Sequence, residues 1–148
     1  MNNTLKIKPG KKKYITTITI LTITILFTLL LSGCSGEDFG AKLNFGDNNE
    51  LYYTDIVKVS KAQALGDYLI NEGFFKEDDN ERSVQLDKTG TTYEFRIVIK
   101  KGLEQDDDTI DILKIFTTEL SDNVFDGASV DIHLCDDTFK TLRVVVSQ

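Results

Sequence analysis

The sequence predicts an α+β domain: an antiparallel sheet with two helices on one face. Three observations predict it. Apolar residues alternate with polar ones in short runs, most cleanly where Tyr93, Phe95, Ile97 and Ile99 interleave with Glu94, Arg96, Val98 and Lys100, the period of a half-buried strand. Two other segments space their apolar residues as a helix does: Ala64, Leu65, Tyr68 and Leu69, then Ile110, Leu113, Phe116 and Leu120. Glycines and acids punctuate the chain between these runs.

The first strand is read at 50–54, with Leu51 and Tyr53 on one face. A helix is expected from Ser60, because Ser60 and Gln63 have capping-box spacing, each side chain serving an orphan amide at the other's position. Gly73 ends that helix in the left-handed conformation glycine tolerates, with Phe74 folding back on the cap. A strand at 83–87 places Val84 and Leu86 on one face, and residues 88–91 turn the chain into the alternating strand. Residues 102–108 read as a loop. The second helix is expected over about 109–123, with Asp108 as N-cap, Asp111 three residues on, and Asp106, Asp107 and Asp108 at the positive end of the helix dipole. Ile112 and Ile115 widen its apolar stripe and predict deep burial. Gly127 precedes a strand at 129–135, Asp136 and Asp137 make a turn, and 141–146 is the last strand. The order is β-α-β-β-α-β-β, which fits a ferredoxin-like split βαβ arrangement with one extra C-terminal strand.

Ahead of this domain, residues 1–33 hold five lysines (Lys6, Lys8, Lys11, Lys12, Lys13) and no acid. An apolar stretch runs from about Tyr14 to Leu31, followed by Leu31-Ser32-Gly33-Cys34. A basic leader, an apolar stretch and small residues are the parts of a secretory signal, and the four residues at its end resemble the lipobox of bacterial lipoproteins. The resemblance implies that 1–33 is a signal peptide that is removed. It implies a thioether-linked diacylglycerol on Cys34, with a further fatty acid such as palmitate on the freed amine. It also implies a lipid-anchored domain outside the cytoplasm, on the cell membrane or the outer membrane. The alternative is an uncleaved anchor, since the stretch has about the ~20 residues a spanning helix needs, although six threonines interrupt it. Ser35 resembles an outer-membrane release signal, and Glu37 and Asp38 resemble weak surface-export signals. Residues 34–49 read as a lipidated flexible tether reaching at most about 50 Å, and residues 50–148 as one domain. Phe39, Leu43 and Phe45 are expected to cling to the domain or to dip towards lipid.

All 24 acids lie after residue 33, whereas the leader takes five of the 17 basic residues. Residues 34–148 are therefore more acidic than the net −7 of the whole chain. That charge opposes nucleic-acid binding, which needs clustered Lys and Arg. With Cys34 lipidated, Cys135 has no cysteine partner, so the fold must stand on its core.

The domain is also similar to a small uncharacterised domain found behind signal or membrane segments of bacterial proteins. The likeness lies in Asn49-Glu50-Leu51-Tyr52-Tyr53, Ala64-Leu65-Gly66-Asp67-Tyr68-Leu69, Gly73-Phe74-Phe75 and Val130-Asp131-Ile132-His133-Leu134. It implies fold and location and carries no activity.

Asp131, His133 and Cys135 share one face of a strand, a set that invites a nucleophile reading. Residues two apart on a strand stand about 6.5 to 7 Å apart with parallel side chains, too far for proton transfer at ~3 Å. A metal on His133 and Cys135 needs further ligands, such as Asp131 or Glu94, from neighbouring strands. Residues 106–108 lack the alternation, glycine and closing Glu of a calcium loop. No phosphate loop, Gly-x-Ser-x-Gly or His-Glu-x-x-His is present. No catalytic residue, cofactor or metal is expected, and the chain is not read as an enzyme. The better candidate is the sheet face away from the helices, expected to carry Gln85, Arg96, Val98, His133, Cys135, Arg143 and Val145. Arginine suits an interface, because its fork pairs with carboxylates and its stem packs. The expected function is a protein-interaction or accessory module of the cell envelope, its partner an envelope protein or a second copy. The alternative is a small-ligand or metal-binding lipoprotein.

Overall fold

The computed structural model describes residues 39–146. The signal segment, Cys34 and the lipid attachment lie outside the described residues. The elements are β1 (Ala41–Asn44), β2 (Asn49–Tyr53), α1 (Val59–Asn71), β3 (Arg82–Thr89), β4 (Thr92–Val98), a 3-10 turn (Leu103–Gln105), α2 (Asp107–Asn123), β5 (Val130–Cys135) and β6 (Thr141–Val145). No helix among the described residues is long and apolar enough to cross a membrane.

The six strands lie in the sheet in chain order. Hairpin partners β1/β2, β3/β4 and β5/β6 run antiparallel, whereas β2/β3 and β4/β5 run parallel across α1 and α2. The α+β class and the two helices match the expectation. The sheet, however, is mixed rather than antiparallel, and each helix joins neighbours instead of skipping a strand as in the split arrangement. Side-chain alternation reports which face a residue takes, not which strand lies beside it. Backbone ties decide that. Arg82 N donates to Asn48 O at 2.9 Å, and the Asn49 amide nitrogen donates to Phe45 O and Lys76 O, both at 3.0 Å. The loop leaving α1 is thus fastened to the start of β2, and β3 begins beside it.

One face of the sheet is apolar across the strands. Leu51, Val84, Ile97 and Leu134 share one row, and Leu86, Phe95, Ile132 and Val145 the next. Both helices cover these rows, α1 through Ala62, Leu65 and Leu69 and α2 through Ile110, Thr117 and Leu120. The helices meet where Tyr68 lies against Phe116 (centroids 6.2 Å apart) and Lys61 Nζ donates to Val124 O at 2.9 Å.

Several local expectations change. Residues 41–44, expected in the tether, form β1, and Phe45 beyond it enters the core. Ser60 lies inside α1, whose N-cap is Lys58 with no side-chain cap, and Gln63 bonds Asp67 instead. Asp106, not Asp108, caps α2, accepting from the amides of Asp108 and Thr109. Asp111 pairs with Lys114. Ile112 and Ile115 are exposed at 67% and 63%, because the arc of α2 facing sheet and α1 ends at Phe116. The end of α1 is as expected: Gly73 has φ +69, its amide donates to Ile70 O, and that of Phe74 to Leu69 O, the bond pair of a Schellman motif.

Gly66, mid-helix in α1, has a packing reason. A Cβ there would sit 1.9 Å from Phe45 Cζ, so the missing side chain is the seat of that ring. Gly66→Ala is expected to destabilise by about 1–3 kcal/mol through overpacking, against alanine's ~1 kcal/mol advantage in a helix interior. Denaturant unfolding of a double-mutant cycle tests this. Once Phe45→Ala has emptied the seat, Gly66→Ala should become stabilising. An unchanged cost there means the clash is not with Phe45.

Candidate functional site

The face of the sheet without helices holds the candidate surface. Register sets its rows: Lys42, Tyr52, Gln85, Arg96, His133 and Val144 lie side by side from β1 to β6. Ser83, Val98, Cys135 and Thr141 flank them on one side, Asp87, Glu94 and Asp131 on the other. Arg96, Val98, His133 and Cys135 therefore do share this face.

Arg143 and Val145 do not. A bulge at Leu134/Cys135 shifts the β5/β6 register, so Arg143 stands beside Leu134 and Val145 beside Ile132. A one-residue slip moves side chains to the opposite face. Arg143 thus turns to the helix side, where Nη1 donates to Glu104 O at 2.8 Å. Val145 is buried.

The middle of the face is a charge cluster already partnered within itself. Arg96 Nη2 donates to Glu94 Oε2 and lies 3.7 Å from Asp87 Oδ2, whereas its buried Nε has no partner. Thr89 Oγ1 donates to Glu94 Oε1 at 2.7 Å. Burial would raise the Glu94 carboxyl, but the hydrogen bonds from Thr89 and Arg96 outweigh it and hold the carboxyl below its usual range. His133 Nδ1 lies 3.0 Å from Thr141 Oγ1, and Nε2 lies 3.8 Å from Glu94 Oε2. Burial lowers the His133 pKa, and the attraction of Glu94 does not restore it.

Cys135 is fully buried. Its thiol donates to the backbone carbonyl of His133 at 3.4 Å. Burial pushes its pKa up despite the Thr141 hydroxyl. Burial thus disfavours the reactive thiolate form. Among the described residues no group of three or more His, Cys, Asp or Glu is placed to hold a metal ion. The acids have local work: Asp78 forms a forked pair with Arg82, and one oxygen of Asp136 accepts from Thr138 N, Thr138 Oγ1 and Lys140 N.

Two features of this face escape a reading of the sequence. The β2–β3 side is covered by three rings, Phe39, Tyr52 and Phe139, with centroids 5.1 to 5.9 Å apart in edge-to-face contact. At the opposite margin β6 is an edge strand, and Leu142, Val144 and neighbouring Val146 are 46%, 42% and 58% exposed. The only sequence signal for the first is a phenylalanine in a polar segment. For the second it is an apolar run ending the domain.

A family model, AF_1994_N, described as a family N-terminal domain, matches residues 42–147. No curated protein and no solved structure matches the chain.

His133 is the single histidine of the chain, so one imidazole resonance reports it. Its titration midpoint in the folded protein is expected below the ordinary 6.5. The unfolded chain then takes up the proton first as pH falls. The His133 contribution to stability is complete above about pH 6.5, declines as pH drops through that value, and levels off once the folded ring is also protonated. A folded-state midpoint at or above 6.5 would mean that Glu94 governs the ring rather than burial.

Proposed function

The chain belongs to the AF_1994_N family, whose name states no activity, so its function is argued from its own residues: we propose that it is a lipid-anchored protein-interaction module of the bacterial cell envelope. The sequence Leu31-Ser32-Gly33-Cys34 behind its basic, apolar leader supports the anchor. Attachment is through a lipid on Cys34, and the domain works outside the cytoplasm on the cell membrane or outer membrane.

The observation that carries the interaction reading is the β6 margin. An edge strand presents unpaired backbone groups, which proteins guard with charge, proline, brevity or a bulge, and β6 carries only the bulge opposite Leu134/Cys135. The other edge, β1, has four residues, with Lys42 paired to Glu50 at 2.8 Å. β6 instead carries Leu142 and Val144 outward, and its one charge, Arg143, is turned to the helix side. Such an edge suits β-strand addition, in which main-chain bonds give affinity and alternate side chains give specificity. The partner is an envelope protein that supplies a strand with apolar residues at alternate positions. The Cys135 thiol and the charge cluster offer no catalytic pairing, which favours binding over an enzymatic role.

Two outcomes are expected in the native membrane. Cys34→Ser should lose the lipid mass and leave the membrane fraction, and retention of full-length chain would instead support an uncleaved anchor. A photo-crosslinking residue at Val144 should capture one stoichiometric partner, identified by mass spectrometry, while the same residue at Ile112 on α2 should not. Equal capture at both positions, or none at Val144, would sink the edge-strand reading.

A further inference from the structure

The open face holds a second feature that the edge strand does not explain. Phe39 precedes β1 and belongs to no strand, yet it is placed on the sheet. Gly40 is the reason. It has φ +92, and a Cβ on it would lie 2.2 Å from Tyr53 O. Only glycine fits that turn, and the turn sends Phe39 across Tyr52 towards the middle of the face. There the Phe39 carbonyl accepts from Gln85 Nε2 at 2.9 Å, and its ring meets Tyr52 at 5.6 Å and Phe139 at 5.1 Å, both nearly perpendicular. Perpendicular rings at this range attract beyond simple burial.

The groups around Phe39 are each carried by the sheet or by the β5–β6 loop. Tyr52 stands on β2, its hydroxyl donating to Glu50 Oε2 at 2.7 Å. Gln85 is a buried amide on β3. Phe139 comes from the β5–β6 loop with φ +57, a conformation unfavourable for any residue with a side chain. The Asp136 hydrogen bonds hold that loop, and Phe139 is buried with the Phe39 ring against it. Local backbone strain is spent on putting a ring over the sheet. The occupant, by contrast, is half-buried and outside every ladder, so it can leave without breaking a strand pair.

We infer that Tyr52, Phe139 and Gln85 form a socket for an aromatic residue of an extended peptide, and that Phe39 fills it in cis as a latch. The seated residue shows what fits: one ring edge-on to two others, and the carbonyl of the same residue on the Gln85 amide. This inference rests on the interaction-module reading and names a second contact for it, a partner segment bearing an aromatic side chain. Such a segment must displace Phe39. A residue joined to β1 through one glycine competes at high effective concentration, so the socket is closed to weak ligands in the resting protein.

The test uses the full-length chain in detergent and the peptide acetyl-Gly-Glu-Asp-Phe-Gly-amide, the chain's own residues 36–40. Binding is followed by chemical-shift changes at the Gln85 side-chain amide and the Tyr52 ring. Phe39→Ala is expected to bind the peptide at least tenfold more tightly than wild type, and Phe39→Ala with Tyr52→Ala should lose it. The same peptide with Ala for Phe should bind neither form. If Phe39→Ala proves unfolded, by loss of the native His133 resonance, Phe39→Leu takes its place, with the same tenfold expectation. A folded Phe39 variant that ignores the peptide would show that Phe39 is packing alone. Equal binding to wild type and variant would place the peptide elsewhere. Either failure leaves the Val144 crosslinking result untouched, so the two readings fall separately.

Discussion

The architecture depends on Asn49. Its side-chain amide, buried at the start of β2, holds the carbonyls of Phe45 and Lys76 at once, and the neighbouring Asn48 carbonyl receives the amide of Arg82. Three segments far apart in sequence, the β1–β2 turn, the loop after α1 and the first residue of β3, meet there. The fastening makes β2 and β3 parallel neighbours. It also seats Phe45 on Gly66, because the carbonyl that Asn49 holds belongs to Phe45. A buried amide that loses its partners costs more than the bonds it makes, which suits a residue that fixes strand order. α1 connects β2 to β3 and α2 connects β4 to β5, and both helices pack on one face. The other face is left for loops and partners.

That division is legible in the sequence only in part. Strand alternation correctly separates Leu51, Val84, Leu86, Phe95, Ile97, Ile132 and Leu134 from Gln85, Arg96 and His133, because period two is a property of each strand alone. Gly73 is readable because a left-handed helix cap has few other residues to choose from. Strand neighbours are not readable, since the ties that set them join the Asn49 side chain and backbone groups of segments far apart in sequence. The bulge at Leu134/Cys135 leaves no mark either, and it alone misassigns Arg143 and Val145. At α2 three consecutive aspartates share the same capping chemistry. The turn at Leu103–Gln105, entered through Gly102 at φ +104, gives the extended cap position to Asp106.

His133 and Cys135 share one face of β5 yet take different partners. Cys135 looks to a backbone carbonyl, and His133 looks to Thr141 and Glu94. Arg96 sits between Glu94 and Asp87, so positive charge at the centre is neutralised within the face. Acids outnumber bases on the face, with Asp87, Glu94 and Asp131 around Arg96, and the aromatic cover and the apolar edge lie to either side of them.

The latch also changes what the lipid anchor means on the proposed reading. The sequence suggests a tether of some fifteen residues and a domain swinging at up to about 50 Å. With Phe39 docked on the sheet and β1 starting at Ala41, only five peptide links separate it from Cys34. Five links reach at most about 17 Å, a third of the reach the sequence suggests. On the proposed reading the tether would join the domain at Phe39, which is seated beside Gln85. Releasing Phe39 adds only two residues to that reach, about 7 Å, while uncovering Tyr52 and Phe139. A partner that takes the socket would thus lengthen the tether little but would replace one covered face with another. On the proposed reading Phe39 would join anchor and recognition surface, and one amide hydrogen bond and two ring contacts hold it in place.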